Sequence, residues 1–145
     1  KINLFSNILF INFFSKFFKN KKKQSKIIVF SGGGAASSFE KFPIYSASKT
    51  ALVRSVENFS QILFKKNVSI FAIAPGAIKT KMLKKVEKIS KVGTRSHMVE
   101  VVNFINNCFK INTRPLNGKL IHIKDNLNKI KKNNDTNYLK LRRIQ

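Results

Sequence analysis

Residues 27–38, which read IIVFSGGGAASS, decide the fold class of this chain. The run IIVF at 27–30 is short and continuously apolar, and the Ser/Gly segment behind it interrupts regular structure. This combination predicts a central β-strand that is buried on both faces. A second apolar run, VSIFAI at 68–73, ends at Pro75 and Gly76 and predicts a neighbouring strand.

Helical segments alternate with these strands. Apolar residues recur at helical spacing over about 44–65, and the patterns at 2–18 and 95–109 also predict helices. The segment GKLIHI at 118–123 predicts a last strand. Because strands that alternate with helices indicate βαβ crossovers, we expect an α/β fold with a doubly wound parallel sheet and helices on both faces.

Three other segments have a distinct character. The apolar stretch at 2–18 is interrupted by three Asn and one Lys, and it is shorter than the roughly 20 apolar residues of a membrane span, so we predict a buried or interface-facing helix. Residues 79–92 are basic and are predicted to be mobile. The Lys/Asn-rich segment 124–145 is predicted to be a tail that follows a folded portion at 1–123.

The composition limits the function classes. The chain has 145 residues, of which 43% are hydrophobic, so it can form a core. The 29 Lys+Arg and 6 Asp+Glu give a net charge of +23, which suggests a nucleic acid or an anionic surface as partner; a genome rich in AT codons would produce the same Lys, Asn, Ile and Phe excess. The single Cys108 excludes an internal disulfide, and with His97 and His122 it forms no zinc-ligand spacing. We therefore expect no metal and a cytoplasmic location.

The segment YSASK at 45–49 carries the clearest chemistry. Tyr45 and Lys49 are four residues apart, so on a helix they share one face. A phenol is a poor acid or base at neutral pH because its pKa is near ~10. A neighbouring ammonium favours the phenolate, so we expect the pKa of Tyr45 to be lowered. This pair can act as a general acid/base on a carbonyl or an alcohol.

In its context this pair resembles the short-chain dehydrogenase/reductase family. The matching segments are IIVFSGGGAASS at 27–38, YSASKTALVRSVENFSQIL at 45–63, VSIFAIAPGAIKTKM at 68–82 and NGKLI at 117–121. The resemblance implies a Rossmann-like fold and an oxidoreductase that transfers a hydride between NAD or NADP and a small carbonyl or alcohol substrate. It also implies a homo-oligomer.

The resemblance assigns roles to individual residues. Tyr45 would be the catalytic acid/base, and Lys49 would lower its pKa and bind the nicotinamide ribose. Asn3 matches the family's helix-interrupting Asn, which anchors a proton-relay water. Further cofactor-binding positions follow from the segment at 74–80: Pro75, Gly76, Ile78 and Thr80.

Two features depart from the family pattern. Where the family has a catalytic Ser at the strand end, this chain has Gly32, with Ser31 just before it. A one-residue offset on a strand turns the side chain to the opposite face, so Ser31 qualifies only if the glycines re-aim it. Ser37 and Ser38 are further candidates. The second departure is the missing glycine-rich turn for the pyrophosphate, so we interpret the chain as the catalytic C-terminal portion of the family's domain, without its N-terminal dinucleotide-binding βαβ units.

Three functions therefore stay open at this point. The first is a short-chain oxidoreductase that needs the absent half for full activity. The second is an inactive remnant that acts only through the helices at 2–18 and 44–65, which correspond by resemblance to the family's dimer surface. The third is a basic nucleic-acid-binding protein, which the apolar periodic placement of the Phe residues disfavours. The substrate, and the choice between NAD and NADP, do not follow from the residues.

Overall fold

The computed structural model describes residues 2–18 and 22–132. The strands of this part of the chain are β1 (Ser25–Phe30), β2 (Val68–Ala74), β3 (Ala77–Ile78), β4 (Arg95–Ser96) and β5 (Leu120–His122). Its α-helices are α1 (Asn7–Ser15), α2 (Pro43–Phe64), α3 (Lys81–Glu87), α4 (Met98–Lys110) and α5 (Leu127–Lys132). A π-helical turn at Ile2–Ser6 precedes α1, and short 3₁₀ helices lie at Gly33–Ala35 and Arg114–Leu116.

The main sheet has the order β1-β2-β5, and both pairings are parallel. All seven residues of β2 are buried because this strand lies between the other two and is covered on both faces. The register aligns Phe30, the last residue of β1, with Ile73 of β2. The carboxyl ends of these strands therefore lie at one edge of the sheet. The predicted parallel α/β fold is confirmed.

The core consists of two layers, one on each face of the sheet. Successive side chains of β2 alternate between the layers, because a strand has a period of two. Ile70 and Ala72 join the layer formed with α1 and α2, whereas Phe71 and Ile73 join the layer formed with α4. The buried face of α2 carries the residues whose spacing predicted it: Leu52, Val53, Val56 and Leu63.

Residues 79–92, predicted to be mobile, contain α3. Thr80 caps this helix, because its Oγ1 accepts a hydrogen bond of 3.1 Å from the Leu83 amide. The helix predicted at 95–109 begins later, at Met98, because Arg95–Ser96 pairs in parallel with β3 instead. Two-residue strands leave no periodic signal in a sequence.

The segment at 2–18 is mostly exposed, and within it Ile11 is buried. Several of its phenylalanines stay exposed to solvent: Phe5, Phe10, Phe13, Phe14 and Phe17. No helix in residues 2–18 and 22–132 is long and apolar enough to cross a membrane. In the segment predicted as a tail, Ile130 of α5 is buried against the core, and residues 133–145 lie outside the described part.

Candidate active site

The first turns of α2 place Tyr45 and Lys49 at the carboxyl end of β1. The helix begins with Pro43, whose fixed φ suits a first helical position. Lys49 lies on the buried side of α2 and is 9% exposed. Its Nζ donates a hydrogen bond of 3.0 Å to the carbonyl of Phe30 and lies 5.8 Å from the centre of the Tyr45 ring. The lysine thus connects the start of α2 to the last residue of β1.

The glycines after β1 make room for the Tyr45 phenol. A Cβ placed on Gly32 would lie 2.7 Å from the Tyr45 Oη, and one on Gly34 would lie 3.4 Å from the Tyr45 Cε1. Ser46 Oγ donates a hydrogen bond to the Gly34 carbonyl and joins this loop to α2. The hydroxyl of Tyr45 therefore lies directly against the Gly32 backbone, where a side chain would displace it.

The serine candidates lie apart from this contact. The Ser31 amide donates to the Ile73 carbonyl at 2.8 Å, and the side chain is only 6% exposed. Its Oγ has no hydrogen-bond partner among the described residues, so it does not bond to Tyr45. The side-chain direction that faces the phenol belongs to residue 32, as strand alternation predicts. Ser37 and Ser38 are exposed.

Burial controls the ionisation of both side chains of the pair. Burial raises the pKa of the Tyr45 phenol above its ordinary value, and it lowers the pKa of the Lys49 ammonium. The expectation that Lys49 lowers the pKa of Tyr45 is therefore wrong for this structure. The physical reason is desolvation, which penalises the charged form of each group, while the ammonium is directed to the Phe30 carbonyl.

The segment after β2 lies at the same edge of the sheet. Gly76 has a φ of +74°, a region that favours glycine. The next amide, that of Ala77, donates a hydrogen bond of 2.8 Å to the Thr94 carbonyl. Ile78 belongs to β3, where it pairs with Ser96, and Thr80 caps α3. Parallel strand ends of this kind are where ligands bind in open α/β sheets.

A cavity of about 750 Å³ brings Asn3 and Tyr45 together. Asn3 lies in the π-helical turn before α1, is exposed, and accepts a hydrogen bond of 3.2 Å from Asn7 Nδ2 through its carbonyl. Neither Ser31 nor the segment 75–80 lines this cavity. Its lining residues come from the π-helical turn and from α2: Ile2, Asn3, Leu4, Phe5, Ile44, Tyr45 and Ser48.

Some contributors to the site could not be found from the sequence. Ser46 belongs to the YSASK segment, where the sequence indicates only a small residue between Tyr45 and Lys49. In the structure its hydroxyl donates a hydrogen bond to the Gly34 carbonyl. The Phe30 carbonyl, which accepts from Lys49, is a backbone group and leaves no residue signature. Ser96 contacts the turn at Gly76 from a strand of only two residues. The described residues contain no cluster of three His, Cys, Asp or Glu side chains that could hold a metal ion.

Known structures share this arrangement of helices and strands. The chain is similar to a short chain dehydrogenase from Burkholderia cenocepacia in complex with NADP (20% identity, TM-score 0.67, covering 90% of this chain and 50% of that one). It is also similar to 4-hydroxyisoleucine dehydrogenase complexed with NADH and succinate (19%, 0.64, 83% and 53%). A third similar structure is the enoyl-[acyl-carrier-protein] reductase (NADH) from Aquifex aeolicus (17%, 0.63, 88% and 48%). The chain thus spans about half the length of each solved structure.

Sequence comparison gives the family. No curated protein sequence matches the chain significantly. The family model described as short chain dehydrogenase matches residues 1–91, which is more than half of the chain and includes β1, α2, β2 and the segment after it. The chain therefore belongs to the short-chain dehydrogenase family.

Proposed function

We propose that this chain carries the catalytic residues of an NAD- or NADP-dependent oxidoreductase, which transfers a hydride between the nicotinamide and a small carbonyl or alcohol substrate. The observation that carries the proposal is the placement of Tyr45. Its hydroxyl lies against Gly32 at the end of β1, on the cavity shared with Asn3, and with Lys49 on the same helix. An acid/base next to a strand-end cleft suits proton transfer to a carbonyl oxygen.

The proton chemistry follows from the burial of the pair. Because burial raises the pKa of Tyr45, the phenol stays protonated at neutral pH and holds the proton that a carbonyl oxygen would receive. The phenolate that remains lies near the Lys49 ammonium, whose Nζ is 5.8 Å from the centre of the ring. In the opposite direction the phenolate would accept the alcohol proton. Tyr45 is thus the acid in reduction and the base in oxidation.

The donors at this edge fit a nicotinamide nucleoside, which supplies the hydride when bound. Within the described residues Lys49 has one hydrogen bond, to the Phe30 carbonyl, so two of its three N–H groups can bind the hydroxyls of a ribose. The Oγ1 of Thr80 accepts a hydrogen bond from Leu83, and its own proton remains available for a carboxamide or phosphate oxygen. Pro75, Gly76 and the backbone of Ile78 would form the surface below the nicotinamide ring.

Two further residues have proposed roles with different support. Asn3 would hold a water of the proton relay, which fits its position on the cavity lined by Tyr45. Ser31 would have to move before its hydroxyl could polarise a substrate carbonyl, because its Oγ is enclosed and is not bonded to Tyr45. Tyr45 is therefore the carbonyl's principal hydrogen-bond donor in this proposal.

We also propose that the chain is the catalytic portion of a longer family domain. The solved structures it resembles are about twice as long, and the segments matched here lack a glycine-rich turn for the cofactor's pyrophosphate. On this proposal the present chain supplies the nicotinamide side of the site. Binding of NAD or NADP by the chain alone is then expected to be weak, because the pyrophosphate contacts are missing.

The substitution Tyr45→Phe tests the function. It removes the hydroxyl and keeps the ring, so the packing against Phe39 should survive. General acid–base groups contribute roughly 10²–10⁴-fold, and we expect a loss of that order in the oxidation of NADH or NADPH by a panel of aldehydes and ketones. The matched control is Tyr138→Phe at the second of the chain's two tyrosines. Wild-type turnover that Tyr45→Phe retains in full would contradict the proposed chemistry.

A second candidate function is supported by the exposed apolar face of α1. Phe10, Phe13 and Phe14 are close to half exposed or more, and their rings contact one another instead of the core. Such a face suits association with a second copy of the chain. On this candidate the chain is a remnant that acts through α1 and α2 alone. This candidate differs from the enzyme in one testable respect: the remnant would have no oxidoreductase activity, so Tyr45→Phe would change none.

A further inference from the structure

Two hydroxyl groups in the described part of the chain are buried without a hydrogen-bond partner, and both lie next to the strand ends at this edge of the sheet. They are the Oγ atoms of Ser31 and Ser96, each in a side chain that is 6% exposed. Ser31 follows β1 directly, and Ser96 lies in β4, behind the turn that follows β2. Buried polar groups are nearly always paired, and exceptions often have a functional reason.

Ser96 is packed tightly under the turn at Gly76. A Cβ on Gly76 would lie 2.7 Å from Ser96 Oγ and 2.9 Å from the Thr94 carbonyl oxygen. The pairing of β3 with β4 and the bond from the Ala77 amide to Thr94 hold the two segments together. The hydroxyl of Ser96 therefore faces the turn's backbone without a hydrogen bond to it.

A second glycine in the chain shows the same packing with a different outcome. Gly118 also has a φ of +74°, and a Cβ there would lie 2.6 Å from the Oγ of Ser60, a side chain that is 4% exposed. The Ser60 hydroxyl, however, donates a hydrogen bond of 2.7 Å to the Glu57 carbonyl. Of these two serines packed against a glycine with positive φ, Ser60 therefore has a hydrogen-bond partner and Ser96 has none among the described residues.

We propose that Ser96 is a positioning residue for the turn at Pro75 and Gly76. When a nicotinamide group binds on this turn, a small shift of the turn gives the Ser96 hydroxyl a partner in its main chain, and that bond stabilises the bound conformation. The inference rests on the proposed function, which places the cofactor on this turn. A ligand favours a conformation by the interactions gained only there, so the hydroxyl would strengthen binding without stabilising the free chain.

The test compares Ser96→Ala with the matched control Ser60→Ala in the full chain. Thermal unfolding is followed by circular dichroism, and NADH is titrated into the isotope-labelled chain while the amide resonances of Ala77 and Ile78 are recorded. For Ser96→Ala we expect an unchanged or higher Tm and NADH binding that is about fivefold to tenfold weaker, the value of one hydrogen bond. For Ser60→Ala we expect a Tm lower by about 2–4 °C and unchanged NADH binding.

The possible outcomes separate the inference from the function on which it rests. If wild type binds NADH and Ser96→Ala binds it equally well, the role of Ser96 is refuted while the proposed function stands. If Ser96→Ala lowers the Tm as Ser60→Ala does, the hydroxyl has a structural partner and the inference is also refuted. If NADH raised to millimolar concentration, where weak binding is detected, leaves the wild-type resonances of Ala77 and Ile78 unchanged, the nicotinamide site on this chain is refuted, and the role of Ser96 with it.

Discussion

The contact between Gly32 and Tyr45 makes a sharp prediction about the substitution Gly32→Ala. The added methyl would lie 2.7 Å from the Tyr45 Oη, whereas an ordinary contact begins at 3.4 Å. The phenol must therefore move by about 0.7 Å. Because a misplacement of about 1 Å can cost roughly 10²-fold in rate, we expect the rate of hydride transfer to fall by about tenfold to a hundredfold.

The same substitution should affect stability very little. The atom that must move is the far end of a side chain, and Gly32 has an extended backbone with φ −177° and ψ 172° that alanine adopts easily. Alanine has fewer backbone conformations than glycine in the unfolded chain, and this difference stabilises the folded variant by about 0.4–1 kcal/mol. The gain offsets the cost of moving the phenol. The free energy of unfolding should thus change by less than about 1 kcal/mol while the rate falls.

The neighbouring Gly33 provides a matched control. A Cβ on Gly33 meets no atom within 4 Å, so Gly33→Ala adds the same methyl one residue away without a contact. The assay is the oxidation of NADH or NADPH by carbonyl substrates, accompanied by the ring resonances of Tyr45, which report the position of the phenol directly. Gly32→Ala should shift these resonances and Gly33→Ala should not. Equal rates and equal Tyr45 resonances in the two variants would refute the contact and its role.

Two other predictions follow from burial and charge. Because the pKa of Tyr45 is raised, its protonated form persists to higher pH, so carbonyl reduction should keep its rate into the alkaline range. Alcohol oxidation needs the phenolate, so its rate should rise with pH. A pH–rate profile measured in both directions checks this, and an oxidation rate that is flat above neutral pH would contradict it. Lys26 donates hydrogen bonds of 2.8–3.0 Å to three carbonyls at the end of α4, and Lys26→Met should cost about 2 kcal/mol of unfolding free energy. In Lys26→Met the buried Cys108 thiol, whose pKa burial raises to about 11, should react about 30-fold faster with a thiol reagent, because the less stable chain opens more often. The control Lys23→Met, at an exposed side chain, should leave that rate unchanged.

Local periodicity in the sequence was sufficient to predict the strands and the helix that form the core. The apolar runs at 27–30 and 68–73 lie in β1 and β2, and the helical spacing over 44–65 matches α2 within a residue at each end. These elements carry the core, so burial leaves a regular trace in their residues. The helix α3 leaves little trace, because none of its residues is buried and its start depends on the cap at Thr80.

The geometry of the pair Tyr45 and Lys49 was accessible from spacing, but its electrostatics were not. Four residues on a helix place two side chains on one face whatever surrounds them. The direction of a pKa shift, by contrast, depends on what covers the groups. Here the loop at 32–34 covers the phenol, and the carbonyl of Phe30 at the end of β1 accepts a hydrogen bond from the ammonium. Both contacts arise from tertiary packing. Desolvation therefore outweighs the attraction between the two groups, and no local pattern could have shown that.

Both strand ends at this edge are built in the same way, with a hydroxyl packed closely against a glycine. Tyr45 Oη lies against Gly32 after β1, and Ser96 Oγ lies against Gly76 after β2. In each pair the missing side chain lets an oxygen reach the main chain, so the backbone of the strand ends shapes the site. A serine at position 32 would not fit this arrangement, because the phenol of Tyr45 fills the space that its Cβ needs. Gly32 thus allows Tyr45 to approach the sheet closely, and Gly32→Ala is the substitution that removes this approach.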